Sequence, residues 1–111
     1  MPFINVMTNS EIKDKVALKS ELGKAIEAIP GKSEAWLMVK AEDKADMYFK
    51  GSDEPCAIFE VAIFGKSTDA AFDNLTKRIC QLSEEQLGVK AERTYVKYSE
   101  IDRWGYNNFN F

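Results

Sequence analysis

The sequence predicts a two-layer α+β fold, with four strands in one mixed sheet and two helices covering one face of it. Three observations carry that expectation. Apolar runs and amphipathic stretches follow the order strand, helix, strand, and then repeat it. Each helical stretch is long enough to carry a right-handed crossover between parallel strands. A chain of 111 residues has room for only one core, so the two units must merge into a single domain spanning residues 1–111.

Residues 2–7, PFINVM, alternate loosely and read as the first strand. Thr8, Asn9 and Ser10 then offer capping oxygens to a helix expected from about Glu11 to Ile29. Leu18, Leu22, Ala25, Ile26 and Ile29 give that helix its apolar stripe, and Pro30-Gly31 ends it. AWLMVKA at 35–41 reads as the next strand and MYF at 47–49 as a short one. Gly51, Ser52, Asp53 and Pro55 mark a turn before CAIFEVAIF at 56–64, the strongest strand signal in the chain. Ser67, Thr68 and Asp69 open a second helix, which Ala71, Phe72, Leu75, Ile79 and Leu82 keep apolar on one side as far as Leu87-Gly88. RTYVKYS at 93–99 is the last expected strand, and the tail DRWGYNNFNF shows no clear period.

Two helices cover only one face of a four-stranded sheet. Residues 35–39 and 56–64 are nonetheless apolar at nearly every position, the pattern of strands covered on both sides. A second copy of the chain is the expected cover, which makes a symmetric homo-oligomer the expected state. Alternation in the last strand puts Val96 and Tyr98 on one face and Tyr95 and Lys97 on the other. With Val96 and Tyr98 under the helices, Tyr95 and Lys97 point to the subunit boundary.

Composition narrows the chemistry. A net charge of −3 without a basic run argues against nucleic-acid binding, and no apolar stretch is long enough to span a bilayer. No signal-peptide pattern opens the chain, so the expected location is the cytosol. Histidine is absent, which removes the commonest general base, the Ser/His and Cys/His nucleophile pairs and most zinc sites. Cys56 and Cys80 form no metal-ligand pattern and read as buried free thiols. GKS occurs at 31–33 and 65–67, but Ile26 and Glu60 stand where a phosphate-binding loop needs its first glycine. Pro2 is the unusual feature, because removal of Met1 would expose a secondary amine there.

Several stretches, in this order and over the whole chain, resemble the macrophage migration inhibitory factor family of the tautomerase superfamily. They are MPFINVMTN, PGK at 30–32, FKGSDEPCA at 49–57, IFGK at 63–66, RTYVKY at 93–98 and WGYNNFNF at the end. The resemblance implies a homotrimer with sheets around a central channel and active sites between subunits. It implies a cofactor-free, metal-free keto-enol tautomerase acting on aromatic 2-keto acids such as phenylpyruvate, with dopachrome isomerisation as a related activity. Pro2 would be the base, Lys32 would hold the substrate carboxylate, and the Phe64 amide would donate a hydrogen bond. Tyr95 would come from a neighbouring subunit, and Tyr106, Phe111 and Trp104 would wall an apolar pocket together with Phe3. The alternative that the resemblance implies is a cytokine-like ligand for a host cell-surface receptor, secreted without a signal peptide.

The chemistry is coherent with those residues. A free α-amino group has a pKa of about 8, and each unit of depression disfavours its charged form by about 1.4 kcal/mol. Desolvation by Phe3, Tyr106 and Phe111, with the charge of Lys32, should push the Pro2 amine down into the range a general base needs. The sequence also departs from the family pattern. Lys97 stands where asparagine is common, which predicts a further lowering of the Pro2 amine and a preference for more anionic substrates. Tyr106 stands where tryptophan is usual, and the tail is slightly short before Trp104. The family's occasional CxxC reads Cys56 to Phe59, which argues against dithiol redox chemistry.

Overall fold

The computed structural model describes all of residues 1–111. Strand β1 (Pro2–Thr8), helix α1 (Lys15–Ala25) and strand β2 (Met38–Glu42) form the first unit, and β3 (Ala57–Phe64), α2 (Asp69–Leu82) and β4 (Thr94–Ile101) form the second. The sheet runs in the order β2-β1-β3-β4. Within each unit the strands are parallel, and the units join through an antiparallel β1/β3 pairing from Pro2↔Ile63 to Thr8↔Ala57. The expected two-layer architecture is therefore present, with both helices on one face.

Strict alternation builds the core. Ile4 and Val6 of β1 and Phe59, Val61 and Ile63 of β3 are buried under the helices. The helices answer with Leu18, Leu22, Ala25 and Ile26 from the first and Ala71, Leu75, Ile79 and Leu82 from the second. Val96 and Tyr98 pack against this core as expected, and the Tyr98 hydroxyl lies 2.7 Å from Thr76 Oγ1 and donates to the Phe72 carbonyl. The opposite face carries Phe3, Met7, Ile58, Ala62 and Phe64, half-buried and covered by no helix. Met38 and Tyr95 on that face are mostly exposed. No helix is long and apolar enough to cross a membrane.

Element boundaries differ from the sequence reading for identifiable reasons. The first helix starts at Lys15 rather than near Glu11, because Asp14 is the side chain that caps Ala17 N–H. The residues expected to cap it have other partners. Thr8 Oγ1 donates to the Cys56 carbonyl and accepts from Ser10 N–H, while Asp43 takes the Ile12 N–H. That amide, helped by Lys15, holds the Asp43 carboxyl below its ordinary range. The same helix tightens into a 3₁₀ turn at Ile26–Ala28, and Glu34–Trp36 forms another, taking Ala35 and Trp36 out of the strand expected over 35–41. MYF at 47–49 is not a strand, since only an isolated bridge joins Phe49 to Ser52. The second helix ends in a π turn over Ser83–Leu87, closed by Gly88 at φ +68°. Cys80 is only half-buried, although both cysteines are free.

The tail also departs from expectation. β5 (Gly105–Tyr106) and β6 (Phe109–Asn110) make a tight hairpin. Asn107 and Asn108 turn it with φ of +51° and +72°, the left-handed pair that a two-residue hairpin turn needs.

Residues 47–56 are held by side chains instead of by a ladder. Asn9 Nδ2 donates to the Asp53, Glu54 and Met47 carbonyls, and its Oδ1 accepts the Cys56 N–H. Arg93, nearly buried, donates to the Ser52, Glu54 and Pro55 carbonyls. Asn9→Ala removes the partner of the Cys56 N–H and of the Asp53 and Met47 carbonyls while Arg93 keeps its own bonds, so urea unfolding should show a loss of about 2 kcal/mol, the cost of leaving backbone groups unpaired.

Candidate active site

The antiparallel β1/β3 pairing brings the N-terminus beside the end of the central strand. Met1 extends the ladder by one residue, its carbonyl accepting the Phe64 N–H at 3.0 Å. Beyond Phe64 the chain turns at Gly65, whose φ of +87° suits glycine and whose N–H reaches the Ile101 carbonyl. Lys32 arrives at the same spot from the other side. Gly31 turns with φ +82° after Pro30, Lys32 N–H reaches back to the Ile29 carbonyl, and Lys32 Nζ donates to the Phe64 carbonyl at 2.9 Å. One strand end thus gathers an N-terminal residue, a lysine ammonium and a backbone N–H.

Electrostatics at this corner depress an amine. The terminal amine, here that of Met1, is held below its ordinary value, first by desolvation and then by the charge and hydrogen bonding of Lys32. Beside it opens a cavity of about 590 Å³ lined mainly by apolar groups, among them Pro2, Phe3, Trp36, Met38, Trp104 and Tyr106. Trp36 and Tyr106 meet edge to face at 5.5 Å across it. Phe111 packs on Phe64 at 5.5 Å and on Phe109 at 5.4 Å, with its N–H bonded to the Trp104 carbonyl. The arrangement sets a largely apolar cavity beside an amine and a cation.

Of the residues singled out from the sequence, the structure gathers Pro2, Phe3, Trp104 and Tyr106 around one cavity, with Lys32, Phe64 and Phe111 alongside. Tyr95 and Lys97 lie elsewhere on the same chain. Tyr95 pairs with Ile58, which pairs with Met7, whereas Pro2 pairs with Ile63. Two strand spacings and five residue rows therefore separate Tyr95 from Pro2, roughly 20 Å. Tyr95 instead meets the Phe49 ring edge-on at 4.9 Å, with the Arg93 guanidinium 5.3 Å from that ring. Lys97 forms an ion pair with Glu60.

Sequence reasoning missed Trp36 and Met38. Both were read as part of a continuous strand, whose alternation would have told nothing about a pocket. The signal was Trp36 itself, a large aromatic next to the turn that carries Lys32.

A two-layer α/β domain of this topology, with its N-terminal residue, a lysine and an aromatic slot at one sheet end, defines the class of the tautomerase fold. Residues 1–109 match the family model Macrophage migration inhibitory factor (MIF), and the chain belongs to that family. It is 28% identical to macrophage migration inhibitory factor of Xenopus laevis across the whole of this chain and 99% of the relative. Among solved structures it is similar to Leishmania major MIF2, with a TM-score of 0.92 and 29% identity over all of this chain and 97% of that one. It also shares its fold with macrophage migration inhibitory factor of Toxoplasma gondii, with a TM-score of 0.90 at 24% identity over 98% of this chain and 99% of that one.

The depressed terminal amine has a pH consequence. Between its lowered native value and its ordinary value of about 8, the unfolded chain holds the proton that the native chain has lost, so stability rises with pH through that window. Lys32→Ala removes a cause of the depression. The pH at which the terminal amine of the Met1-bearing chain becomes reactive toward an acylating reagent should move upward, and the stability gain should shrink.

Proposed function

We propose that the chain is a cofactor-independent keto-enol tautomerase of phenylpyruvate-type acids, with Pro2 as general base once Met1 is removed. The observation that carries this reading is the convergence of the terminal amine, Lys32 Nζ and the Phe64 N–H at the mouth of an aromatic cavity. With Met1 gone, the amine belongs to Pro2 and the Phe64 N–H loses its carbonyl acceptor. The vacated donor and the Lys32 ammonium then suit a substrate carboxylate and the oxygen on which enolate charge develops. The ring lies in the slot of Phe3, Trp36, Trp104, Tyr106 and Phe111. The neutral Pro2 amine takes the proton from the carbon beside the keto group. The resulting ammonium returns a proton to the enolate oxygen, and no cofactor or metal enters the cycle.

The reading includes a homotrimer in which Tyr95 serves the pocket of a neighbouring subunit. Two observations support it. Tyr95 is roughly 20 Å from Pro2 of its own chain by strand geometry, and the helix-free face that carries it is rich in apolar side chains. Sedimentation of the purified chain checks the trimer directly.

The deciding assay follows phenylpyruvate enol formation by ultraviolet absorbance. Pro2→Gly should lower kcat/KM about 10²-fold, the scale of a displaced general base. A chain with Met1 retained, confirmed by intact mass, should be inactive, because its Pro2 nitrogen is an amide. Turnover by Pro2→Gly equal to wild type would sink the mechanism, whereas no turnover by the processed wild type would favour the role of a receptor ligand.

A further inference from the structure

The helix-free face carries a polar row, which Lys40 of β2 continues beyond Asn5 at the far edge of the sheet, two strand spacings from Glu60. Asn5 of β1, Glu60 of β3 and Lys97 of β4 stand side by side in the sheet register. Glu60 is held on both oxygens, by Asn5 Nδ2 at 3.1 Å and by Lys97 Nζ at 3.3 Å. The Lys97 side chain keeps 64% of its exposure while that of Glu60 keeps 35%, so the ammonium is presented outward and the carboxylate is anchored beneath it. One pleat repeat, about 7 Å, separates Lys97 from Tyr95 on the same face.

We propose that Glu60 is a specificity-determining positioning residue, which neutralises Lys97 and so sets the charge that a neighbouring pocket presents to the far end of the substrate ring. This rests on the tautomerase reading and on Tyr95 serving a neighbouring subunit. A ring that reaches Tyr95 is then within range of the flexible Lys97 stem. An unpaired ammonium there would favour a ring bearing an anionic group. Paired with Glu60, the position is close to net neutral, and it accepts an unsubstituted or hydroxylated ring without favouring an anionic one. The carboxylate therefore offsets the preference for anionic substrates that Lys97 alone would give.

The test is the ratio of kcat/KM for 4-carboxyphenylpyruvate to that for phenylpyruvate. Glu60→Gln keeps an acceptor for Asn5 and removes the charge, so it should raise the ratio about fivefold, the scale of a partly exposed ion pair. Glu60→Ser should raise it in the same direction. Lys97→Gln leaves the carboxylate uncompensated and should lower the ratio, while the Glu60→Gln/Lys97→Gln double variant should return close to wild type. A general loss of structure would lower both rates without this reversal of sign. If both Glu60 variants leave the ratio within twofold of wild type while Pro2→Gly still lowers kcat/KM about 10²-fold, the proposal is overturned and the tautomerase reading stands. If Pro2→Gly turns over normally, the tautomerase reading has failed, and the inference with it.

Discussion

The antiparallel pairing of β1 with β3 is the constraint on which the rest of the molecule depends. It is the only contact through which the two strand-helix-strand units become one sheet. Its register puts Ile4 and Val6 over Val61 and Phe59 in the core, and the same register carries the N-terminus to the end of β3. A slip of one residue would turn the buried set of β1 outward and carry the N-terminus away from Phe64 and Lys32. Core packing and the chemistry of the strand end are thus specified together, since the apolar face of β1 locks the position of the residue that precedes it.

Much of this was legible from the residues. The twofold order of strand, helix and strand, both apolar helix stripes and the two faces of β4 followed from periodicity, because burial under two helices imposes a period that the sequence must obey. Helix starts were less legible, because Thr8 and Asn9 have the chemistry of capping residues but are used to staple residues 47–56. Local propensity does not distinguish a side chain that caps its own helix from one that reaches a backbone group 47 residues away. The tail hairpin was hidden for a different reason: two asparagines at positive φ are a weaker turn signal than Asn-Gly, although they satisfy the same backbone demand.

The candidate site was legible in part. Pro2, Lys32 and Phe64 were drawn from resemblance, and the hydrogen-bond geometry supplies the physical reason they belong together, a shared strand end. Trp36 lay outside the reading because its place on a 3₁₀ turn, rather than in a strand, turns it toward Tyr106. Lys97 was read as a bare cation. Its partner lies 37 residues away on the adjacent strand, a contact that only the β3/β4 register brings about.

Arg93 illustrates a different economy of charge. Its guanidinium is nearly buried, yet the hydrogen-bond acceptors it uses are backbone carbonyls of residues 52, 54 and 55, supplemented by the face of Phe49. None of these acceptors can be protonated in the range in which proteins work. This latch of residues 47–56, on which Tyr95 leans through Phe49, is therefore blind to acid. In a chain without histidine, the terminal amine has its ordinary range nearest to neutrality. Protonation of that amine would then change the strand end while leaving this clasp of the fold shut.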